Sequence, residues 1–206
     1  MSAPHDPDSW FDEQLGGTGV MVILRGFDPA RTLELARTAW AAGIRAVEVP
    51  VQGEESLRSL TAVARAAPDG APVGAGTIVS PDQVALVRDA GAVFTVSPGF
   101  DREVSVVSRN AGLPHLPGVA TATEVHHAVS AGHRWLKLFP ATVLGAELIP
   151  ALHGPFPMAK FCVTGGISVD NAARFLDAGA SAVSLGSSFA GADASDLAAL
   201  VGRIAG

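Results

Sequence analysis

The chain has 206 residues, 48% of them hydrophobic and 17% charged, and carries a formal net charge of −6 at pH 7. This composition predicts a compact folded protein with one substantial core and excludes an intrinsically disordered chain. The acidic balance, with no basic cluster, argues against a nucleic acid as the main partner. Residues 1–10 show no signal-peptide pattern and no apolar run approaches the roughly 18 residues of a membrane span, so we expect a cytoplasmic protein without a membrane partner.

Taken in chain order, eight apolar segments with the character of buried strands alternate with amphipathic helical patterns. Five Ala-Gly pairs each precede an apolar segment, and their glycines suit the left-handed residue just past a helix end. Asp28-Pro29, Ser80-Pro81 and Ser168 mark helix starts, because each sets a capping side chain before a helical pattern. The predicted strands are residues 20–26, 45–51, 72–77, 93–97, 114–118, 135–139, 161–165 and 182–186.

Eight strands that alternate with eight helices predict a (β/α)8 barrel, with residues 1–206 as a single domain and residues 1–18 as an N-terminal extension. Within that extension, residues 7–16 are expected to form an extra helix that closes the bottom of the barrel. A doubly wound open sheet is the competing architecture. It requires a glycine-rich fingerprint after the first strand, and Arg25-Gly26-Phe27-Asp28-Pro29 does not supply one.

The sixth predicted strand carries a lysine in its middle, Lys137. The chain contains two lysines in all, so an ammonium group on an apolar strand requires a reason. Alternation along the strand places Lys137 on one face with Trp135 and Phe139. Burial there favours the neutral amine, which attacks carbonyl carbon. The structural alternatives are a lysine that reaches solvent from the strand end and one that pairs with a buried carboxylate.

Other functional candidates lie where the predicted strands end, because the C-terminal ends of barrel strands meet at one mouth. Glu48 is a second charge embedded in an apolar strand, and it is either a proton shuttle for Lys137 or one half of a structural ion pair. Arg25 ends the first strand, where its planar fork can hold a carboxylate or simply be solvated. Thr77 and Pro98 follow the third and fourth strands.

Glycine turns follow the seventh and eighth strands, in Thr164-Gly165-Gly166 and Gly186-Ser187. Barrels often bind phosphate at these two loops, through backbone N–H groups and the start of a helix. Glycine lets the backbone approach an anion without a side chain in between. Paired glycine turns also occur simply as tight connections.

No set of side chains has the spacing of a metal site. His126 and His127 are adjacent on a predicted helix and face different directions. His115, His133 and His153 are scattered along the chain. Cys162 excludes an internal disulfide, fits a reducing compartment, and is predicted to be an inert buried thiol because its neighbours are apolar. We therefore expect neither a metal nor another cofactor, and the pattern favours amine chemistry.

Seven of these segments, in register from about residue 20 to residue 188, resemble the family of 2-keto-3-deoxy-6-phosphogluconate (KDPG) and 4-hydroxy-2-oxoglutarate (KHG) aldolases. The resemblance implies a class I aldolase on a (β/α)8 barrel, typically a homotrimer. The segments are Val22-Ile23-Leu24-Arg25, Val47-Glu48-Val49-Pro50, Gly74-Ala75-Gly76-Thr77, Ser97-Pro98-Gly99, Leu116-Pro117-Gly118, Leu136-Lys137-Leu138-Phe139-Pro140 and Thr164-Gly165-Gly166-Ile167.

The resemblance implies a role for each candidate residue. Lys137 would form a Schiff base with the substrate and Glu48 would transfer protons. Two further sets complete the site. The substrate-binding set is Arg25, Thr77, Pro98, Phe139 and Thr164, and the phosphate-binding set is Gly165, Gly166, Gly186 and Ser187.

Two departures from the family pattern bear on the substrate. Gln52 stands where some members carry an arginine, and Val163 stands where the turn is often preceded by proline. The expected reaction is cleavage of KDPG to pyruvate and glyceraldehyde 3-phosphate. The 6-phosphogalactonate epimer and 4-hydroxy-2-oxoglutarate are alternative substrates. A phosphate-binding barrel isomerase or synthase, in which Lys137 is an acid or an electrostatic group, is the alternative from another class.

Overall fold

A computed structural model describes residues 7–16 and 19–205 of the chain. Its centre is a parallel sheet of nine strands in the order β5-β4-β3-β2-β1-β9-β8-β7-β6. The strands are β1 (Val20–Ile23), β2 (Ala46–Pro50), β3 (Val73–Gly76), β4 (Phe94–Val96), β5 (His115–Leu116), β6 (Gly118–Val119), β7 (Trp135–Leu138), β8 (Lys160–Thr164) and β9 (Ala182–Leu185).

The two end strands of this order are neighbours in the chain, and they close the sheet into a barrel. β5 pairs with β4 and β6 pairs with β7, and only Pro117 separates β5 from β6. Proline has no N–H to donate, so the ladder is interrupted there, although the carbonyl oxygen of Pro117 still accepts from the Lys137 N–H at 2.8 Å. The predicted strand 114–118 is therefore two short strands, and the predicted (β/α)8 barrel is confirmed.

Helices cover the outside of the barrel and follow every strand except β5, with two short helices instead of one between β7 and β8. Gly145, at φ 84°, separates those two. The helices are α1 (Pro7–Leu15), α2 (Pro29–Ala41), α3 (Glu54–Ala66), α4 (Asp82–Asp89), α5 (Arg102–Asn110), α6 (Ala122–Ser130), α7 (Ala141–Leu144), α8 (Leu148–His153), α9 (Val169–Asp177) and α10 (Ala194–Ala205), with a 3-10 helix at Ser187–Gly191.

Most of the predicted helix boundaries are confirmed. Asp28 accepts from the Arg31 N–H at 3.0 Å, and Ser168 is the N-cap of α9. The prediction for Ser80 was wrong, because the side chain that accepts from the Val79 and Ser80 N–H groups belongs to Gln83. The glycines of the five Ala-Gly pairs all have positive φ, as predicted, and they are Gly43, Gly91, Gly112, Gly132 and Gly179.

Side chains divide along each strand between the helical layer and the barrel interior. On β7, Leu136 and Leu138 pack outward against the helices, whereas Trp135 points into the interior, as the alternation predicted. The interior at the N-terminal ends of the strands is filled by apolar residues together with Phe11 and Leu15 of α1. The predicted closing helix is thus confirmed, and the free space of the interior lies at the other end.

Polar contacts fix α1 on this end of the barrel. Asp12 accepts from the indole N–H of Trp135 at 2.7 Å and from the Lys160 ammonium, and Asp8 accepts from the Arg134 N–H at 2.9 Å. The carboxylates that α1 brings to this end of the barrel are therefore paired. No helix among the described residues is long and apolar enough to cross a membrane.

Candidate active site

A cavity of about 500 Å³ opens at the C-terminal ends of the strands, where the fold predicts a site. Ten of the eleven residues named as candidates from the sequence line it, and the eleventh, Glu48, lies behind the lining. The ten are Arg25, Thr77, Pro98, Lys137, Phe139, Thr164, Gly165, Gly166, Gly186 and Ser187. The sequence reasoning missed four other lining residues, which stand one or two positions from predicted ones: Ile23, Phe27, Ile167 and Ser188.

A buried amine and a buried carboxylate meet at the floor of the cavity. The Lys137 Nζ atom lies 3.6 Å from Glu48 Oε1, and the two side chains are 5% and 0% exposed. Lys137 thus does not reach solvent from the end of its strand. Within the described residues neither carboxylate oxygen of Glu48 has a hydrogen-bond partner. Desolvating both charges without further hydrogen bonds is costly, so this pair is a poor device for stability and needs a functional reason.

Two glycines of β3 leave room for buried side chains, Gly76 for Glu48 and Gly74 for Phe94. A Cβ atom added to Gly76 would lie 1.8 Å from Glu48 Oε1, and one added to Gly74 would lie 2.3 Å from the ring of Phe94. No side chain larger than hydrogen fits at either position without moving its neighbour. The Gly74-Ala75-Gly76 segment is one of the family motifs, but the sequence alone gives no sign that Gly76 makes room for the carboxylate.

Arg25 is held on two sides at the rim of the cavity. Its Nη1 donates to Gln52 Oε1 at 2.7 Å and its Nη2 donates to Thr77 Oγ1 at 3.1 Å. Thr77 has a φ of 61°, a left-handed conformation that is strained for a β-branched residue and is typical of functional sites. Gln52, the departure from the family pattern, therefore acts on the orientation of the Arg25 guanidinium.

Residues from three neighbouring strands form the wall beside Lys137. The Lys137 Nζ atom lies 5.6 Å from the centroid of the Phe139 ring. Pro98 abuts Gly118, where a Cβ atom would come within 2.1 Å of the Pro98 carbonyl oxygen. The buried Thr164 hydroxyl lacks a hydrogen-bond partner among the described residues, so it is free to bind a polar group in the cavity.

The opposite wall is built from backbone. Gly165 and Gly166 have φ values of 98° and 75°, and α9 begins three residues after Gly166. A 3-10 helix begins at Ser187, directly after Gly186. Two helix starts therefore bring backbone N–H groups to the same side of the cavity, which is the arrangement that binds anions in proteins.

Cys162 lies next to Lys137 in the β7–β8 ladder but is not part of the reactive set. The thiol is fully buried, and burial raises its pKa to about 11. Its Sγ atom lies 3.2 Å from Ser184 Oγ. A thiol with so high a pKa is neutral at physiological pH, in agreement with the prediction of an inert group.

His115 and His133 lie outside the barrel interior, against α5, and not in the cavity. They seemed scattered in the sequence, but the fold brings their rings to a centroid separation of 5.8 Å. Burial, together with the charge of Arg109, lowers the pKa of His115 to about 3 and that of His133 to about 4, although Asp8 raises the pKa of His133 in part. Among the described residues no group of three or more His, Cys, Asp or Glu side chains could hold a metal ion.

A parallel barrel with a lysine amine and a carboxylate at its mouth defines a class of enzyme that activates carbonyl compounds through an amine. A family profile described as "KDPG and KHG aldolase" matches residues 11–202. The chain belongs to this family, and it is a class I aldolase.

Three relatives illustrate the similarity. A 2-dehydro-3-deoxy-phosphogluconate aldolase of Pseudoalteromonas atlantica is 36% identical over 158 residues, which are 76% of this chain and 73% of that protein. A 2-dehydro-3-deoxy-6-phosphogalactonate aldolase of Escherichia coli is 36% identical over 82% of both chains. The crystal structure of KDPG aldolase from Legionella pneumophila, with pyruvate captured as a covalent carbinolamine intermediate, has a TM-score of 0.81 and 29% identity over 94% of this chain and 97% of that one.

Proposed function

We propose that this enzyme cleaves 2-keto-3-deoxy-6-phosphogluconate to pyruvate and glyceraldehyde 3-phosphate, as a single domain of residues 1–206 in the cytoplasm. The observation that carries the proposal is the buried Lys137 amine, 3.6 Å from the Glu48 carboxylate, in a cavity with a guanidinium on one wall and glycine turns on another. The relatives that bear this activity in their names support the choice of substrate.

Lys137 begins the reaction by attacking the C2 ketone of the substrate. Glu48 takes the proton that the amine loses and delivers it to the hydroxyl group of the carbinolamine. That hydroxyl then departs as water, which gives an iminium ion. The iminium accepts the electron pair of the C3–C4 bond as the C4 hydroxyl loses its proton, which releases the aldehyde. The remaining enamine is protonated at C3, and hydrolysis of the resulting iminium frees pyruvate and Lys137.

The walls of the cavity hold the two charged ends of the substrate. Arg25, fixed by Gln52 and Thr77, binds the carboxylate next to the reacting ketone. Pro98 and Phe139 pack against the pyruvyl half, and Thr164 binds a substrate hydroxyl. The turns at Gly165-Gly166 and Gly186-Ser187 bind the phosphate through their N–H groups. Holding both ends of the substrate aligns its ketone with the amine of Lys137. Such alignment lowers the activation free energy of the reaction by several kcal/mol.

The 6-phosphogalactonate epimer is the second candidate substrate, supported by the Escherichia coli relative of that name. The glycine turns favour both phosphorylated acids over 4-hydroxy-2-oxoglutarate, which has no phosphate for them to bind. An isomerase or synthase in which Lys137 serves only as an acid or an electrostatic group does not fit the family to which the chain belongs.

We also propose that the enzyme assembles as a homotrimer. Large apolar side chains are exposed on two adjacent helices, Leu86 on α4 at 58% and Val106 on α5 at 47%. Exposed apolar surface of this kind is typical of association surfaces. Light scattering of the wild type and of Leu86→Asp tests the assembly, and a wild-type protein that stays monomeric at micromolar concentration would contradict it.

The substrate proposal is tested by the release of pyruvate, followed with a coupled dehydrogenase, from each of the three keto acids. We expect the highest kcat/KM for 2-keto-3-deoxy-6-phosphogluconate. Inorganic phosphate should compete with both phosphorylated acids and leave the cleavage of 4-hydroxy-2-oxoglutarate much less affected. A preference for the unphosphorylated acid, with no effect of phosphate, would exclude the proposed substrate.

A further inference from the structure

Three consecutive carbonyl groups after β8 are each bound by a side chain, two of them from distant segments of the chain and one from α9. The Gly165 carbonyl oxygen accepts from Thr142 Oγ1 at 3.1 Å, and also from the Thr142 N–H. The Gly166 oxygen accepts from Asn171 Nδ2 at 2.9 Å, and the Ile167 oxygen accepts from Ser188 Oγ at 2.7 Å. The acceptors of this turn are thus all occupied.

Binding a carbonyl oxygen also sets the direction of the following N–H. A trans peptide is planar and its N–H points opposite to its C=O. Because Thr142 holds the Gly165 oxygen and Asn171 holds the Gly166 oxygen, the N–H groups of Gly166 and Ile167 point the other way. Gly166 and Ile167 line the cavity, whereas Thr142 and Asn171 are not part of its lining. Within the described residues these two N–H groups have no hydrogen-bond partner.

The conformation of the turn depends on the same contacts. Gly165 and Gly166 both have positive φ, a backbone conformation that glycine adopts without steric cost. Thr142 lies directly against the turn, since a Cβ atom on Gly166 would come within 2.2 Å of Thr142 Oγ1. Asn171 uses both ends of its amide, because its Oδ1 accepts from the Ser168 N–H at 2.9 Å.

The turn contains no cation that could substitute for this geometry. Residues 164–171 and 184–191 include neither lysine nor arginine. Binding of an anion at this wall therefore depends on the aim of a few backbone N–H groups. A small rotation of either peptide would turn a donor away from the anion and bring a carbonyl oxygen toward it, which would repel negative charge.

We propose that Thr142 and Asn171 are positioning residues for the phosphate of the substrate. They do not touch the phosphate, and they act by holding the Gly165 and Gly166 carbonyl groups away from it so that the Gly166 and Ile167 N–H groups bind it. This assignment rests on the proposed function, since it names what aims the phosphate-binding turn of that same site.

The test compares variants that differ by one donor. Asn171→Ala removes the donor to the Gly166 oxygen. Thr142→Val removes the hydroxyl at nearly constant shape, and Thr142→Ser restores it. We expect the inhibition constant of inorganic phosphate and the KM for the phosphorylated substrate to rise about tenfold in Asn171→Ala and about threefold in Thr142→Val, which keeps its backbone bond. Thr142→Ser should resemble the wild type, and kcat should change less than KM in every variant.

A second measurement distinguishes a specific effect on the phosphate-binding turn from a general disturbance of the active site. The pyruvate concentration that gives half-maximal trapping on the enzyme with borohydride reports the lysine site alone, and it should change less than about twofold in all variants. Equal loss of phosphate and pyruvate affinity would show a merely structural role, and unchanged phosphate affinity in both Asn171→Ala and Thr142→Val would overturn the assignment while leaving the aldolase proposal intact. A wild-type enzyme that does not bind phosphate at all would overturn both.

Discussion

The two ends of the barrel interior contain the same chemical pair in opposite environments. At the N-terminal end, Lys160 pairs with Asp12, and their side chains are 39% and 35% exposed. At the C-terminal end, Lys137 pairs with Glu48, and both are buried. Asp12 also accepts from the Trp135 indole, whereas the oxygens of Glu48 have no hydrogen-bond partner in the described part of the chain.

The difference shows which pair stabilises the fold and which is kept for chemistry. Burial raises the pKa of Asp12, but the hydrogen bonds from Lys160 and Trp135 outweigh it, so the pKa is lowered overall. A lowered carboxylate pKa means that this contribution to stability is present at neutral pH and is lost as the pH falls through the folded-state value. The Lys137–Glu48 pair has no such hydrogen bonds, and surrounding packing, which includes Gly76 of β3, holds it in place.

Removing each lysine in turn is the strongest test of this contrast. Lys137→Met should lower turnover by at least about 10⁴-fold, because the other lysine, Lys160, lies at the opposite end of the barrel interior and cannot attack the ketone. It should also reduce the free energy of unfolding by about 3 kcal/mol, since a buried carboxylate loses its partner. Steady-state kinetics and urea unfolding measure the two effects.

Lys160→Met is the matched control for that variant. It should keep wild-type turnover and lose about 1 kcal/mol of stability or less, because the pair is partly exposed and Asp12 retains the Trp135 bond. Full activity in Lys137→Met, or inactivity in a folded Lys160→Met, would reverse the assignment of the two ends.

Glu48→Gln should lower kcat by about 10²–10⁴-fold and leave the fold intact, because the amide keeps the shape of the side chain and cannot transfer protons. Unchanged activity would remove Glu48 from the mechanism and leave it as a partner of Lys137 only.

Gly76→Ala tests whether packing holds the Lys137–Glu48 pair in place. The new Cβ atom has no room beside Glu48 Oε1, so the carboxylate must move away from Lys137. We expect kcat to fall about 10²-fold while pyruvate still forms an adduct with the amine. Gly202→Ala, within α10 at a position where an added Cβ atom meets nothing within 4 Å outside its own helix backbone, is the control and should behave as the wild type. A fully active Gly76→Ala enzyme would show that Glu48 tolerates displacement.

The two buried histidines outside the barrel interior, His115 and His133, predict a smaller effect, which is a loss of stability at acid pH. His115 and His133 have folded-state pKa values of about 3 and about 4, below the ordinary 6.5. The unfolded chain therefore binds protons that the folded chain does not, and stability falls as the pH drops below 6.5. Each histidine contributes up to roughly 1.4 kcal/mol per pH unit in that window.

Urea unfolding at pH 7.5 and pH 5 measures this dependence. His115→Asn should reduce the difference between the two pH values, and His126→Gln, which changes an exposed histidine, should leave it as in the wild type. An unchanged difference in His115→Asn would show that the buried ring takes up its proton without cost.

Much of this architecture could be predicted from local patterns. Apolar segments and positive-φ glycines located the strands and helix ends, because strand burial and helix termination depend on nearby residues. Lys137 and Glu48 were identifiable because a charge within an apolar strand is rare. Their separation, and their place in one cavity, required the register of the closed barrel.

The features that escaped prediction depend on contacts between distant segments. Pro117 splits one strand into two only because each half pairs with a different neighbour. Gly76 matters through the side chain of a residue 28 positions earlier, and Asn171 through a carbonyl that becomes accessible only in the folded turn. None of these contacts leaves a periodic signal in the sequence.

The central claim is that the amine of Lys137 forms a covalent bond with the keto acid. The enzyme is incubated with pyruvate and reduced with borohydride. Its intact mass is then measured, and the modified residue is located by peptide mass spectrometry. With two lysines in the chain the mapping is unambiguous, and we predict one reduced pyruvyl adduct on Lys137 and none on Lys160. An unmodified Lys137 in an enzyme that still releases pyruvate would contradict the account.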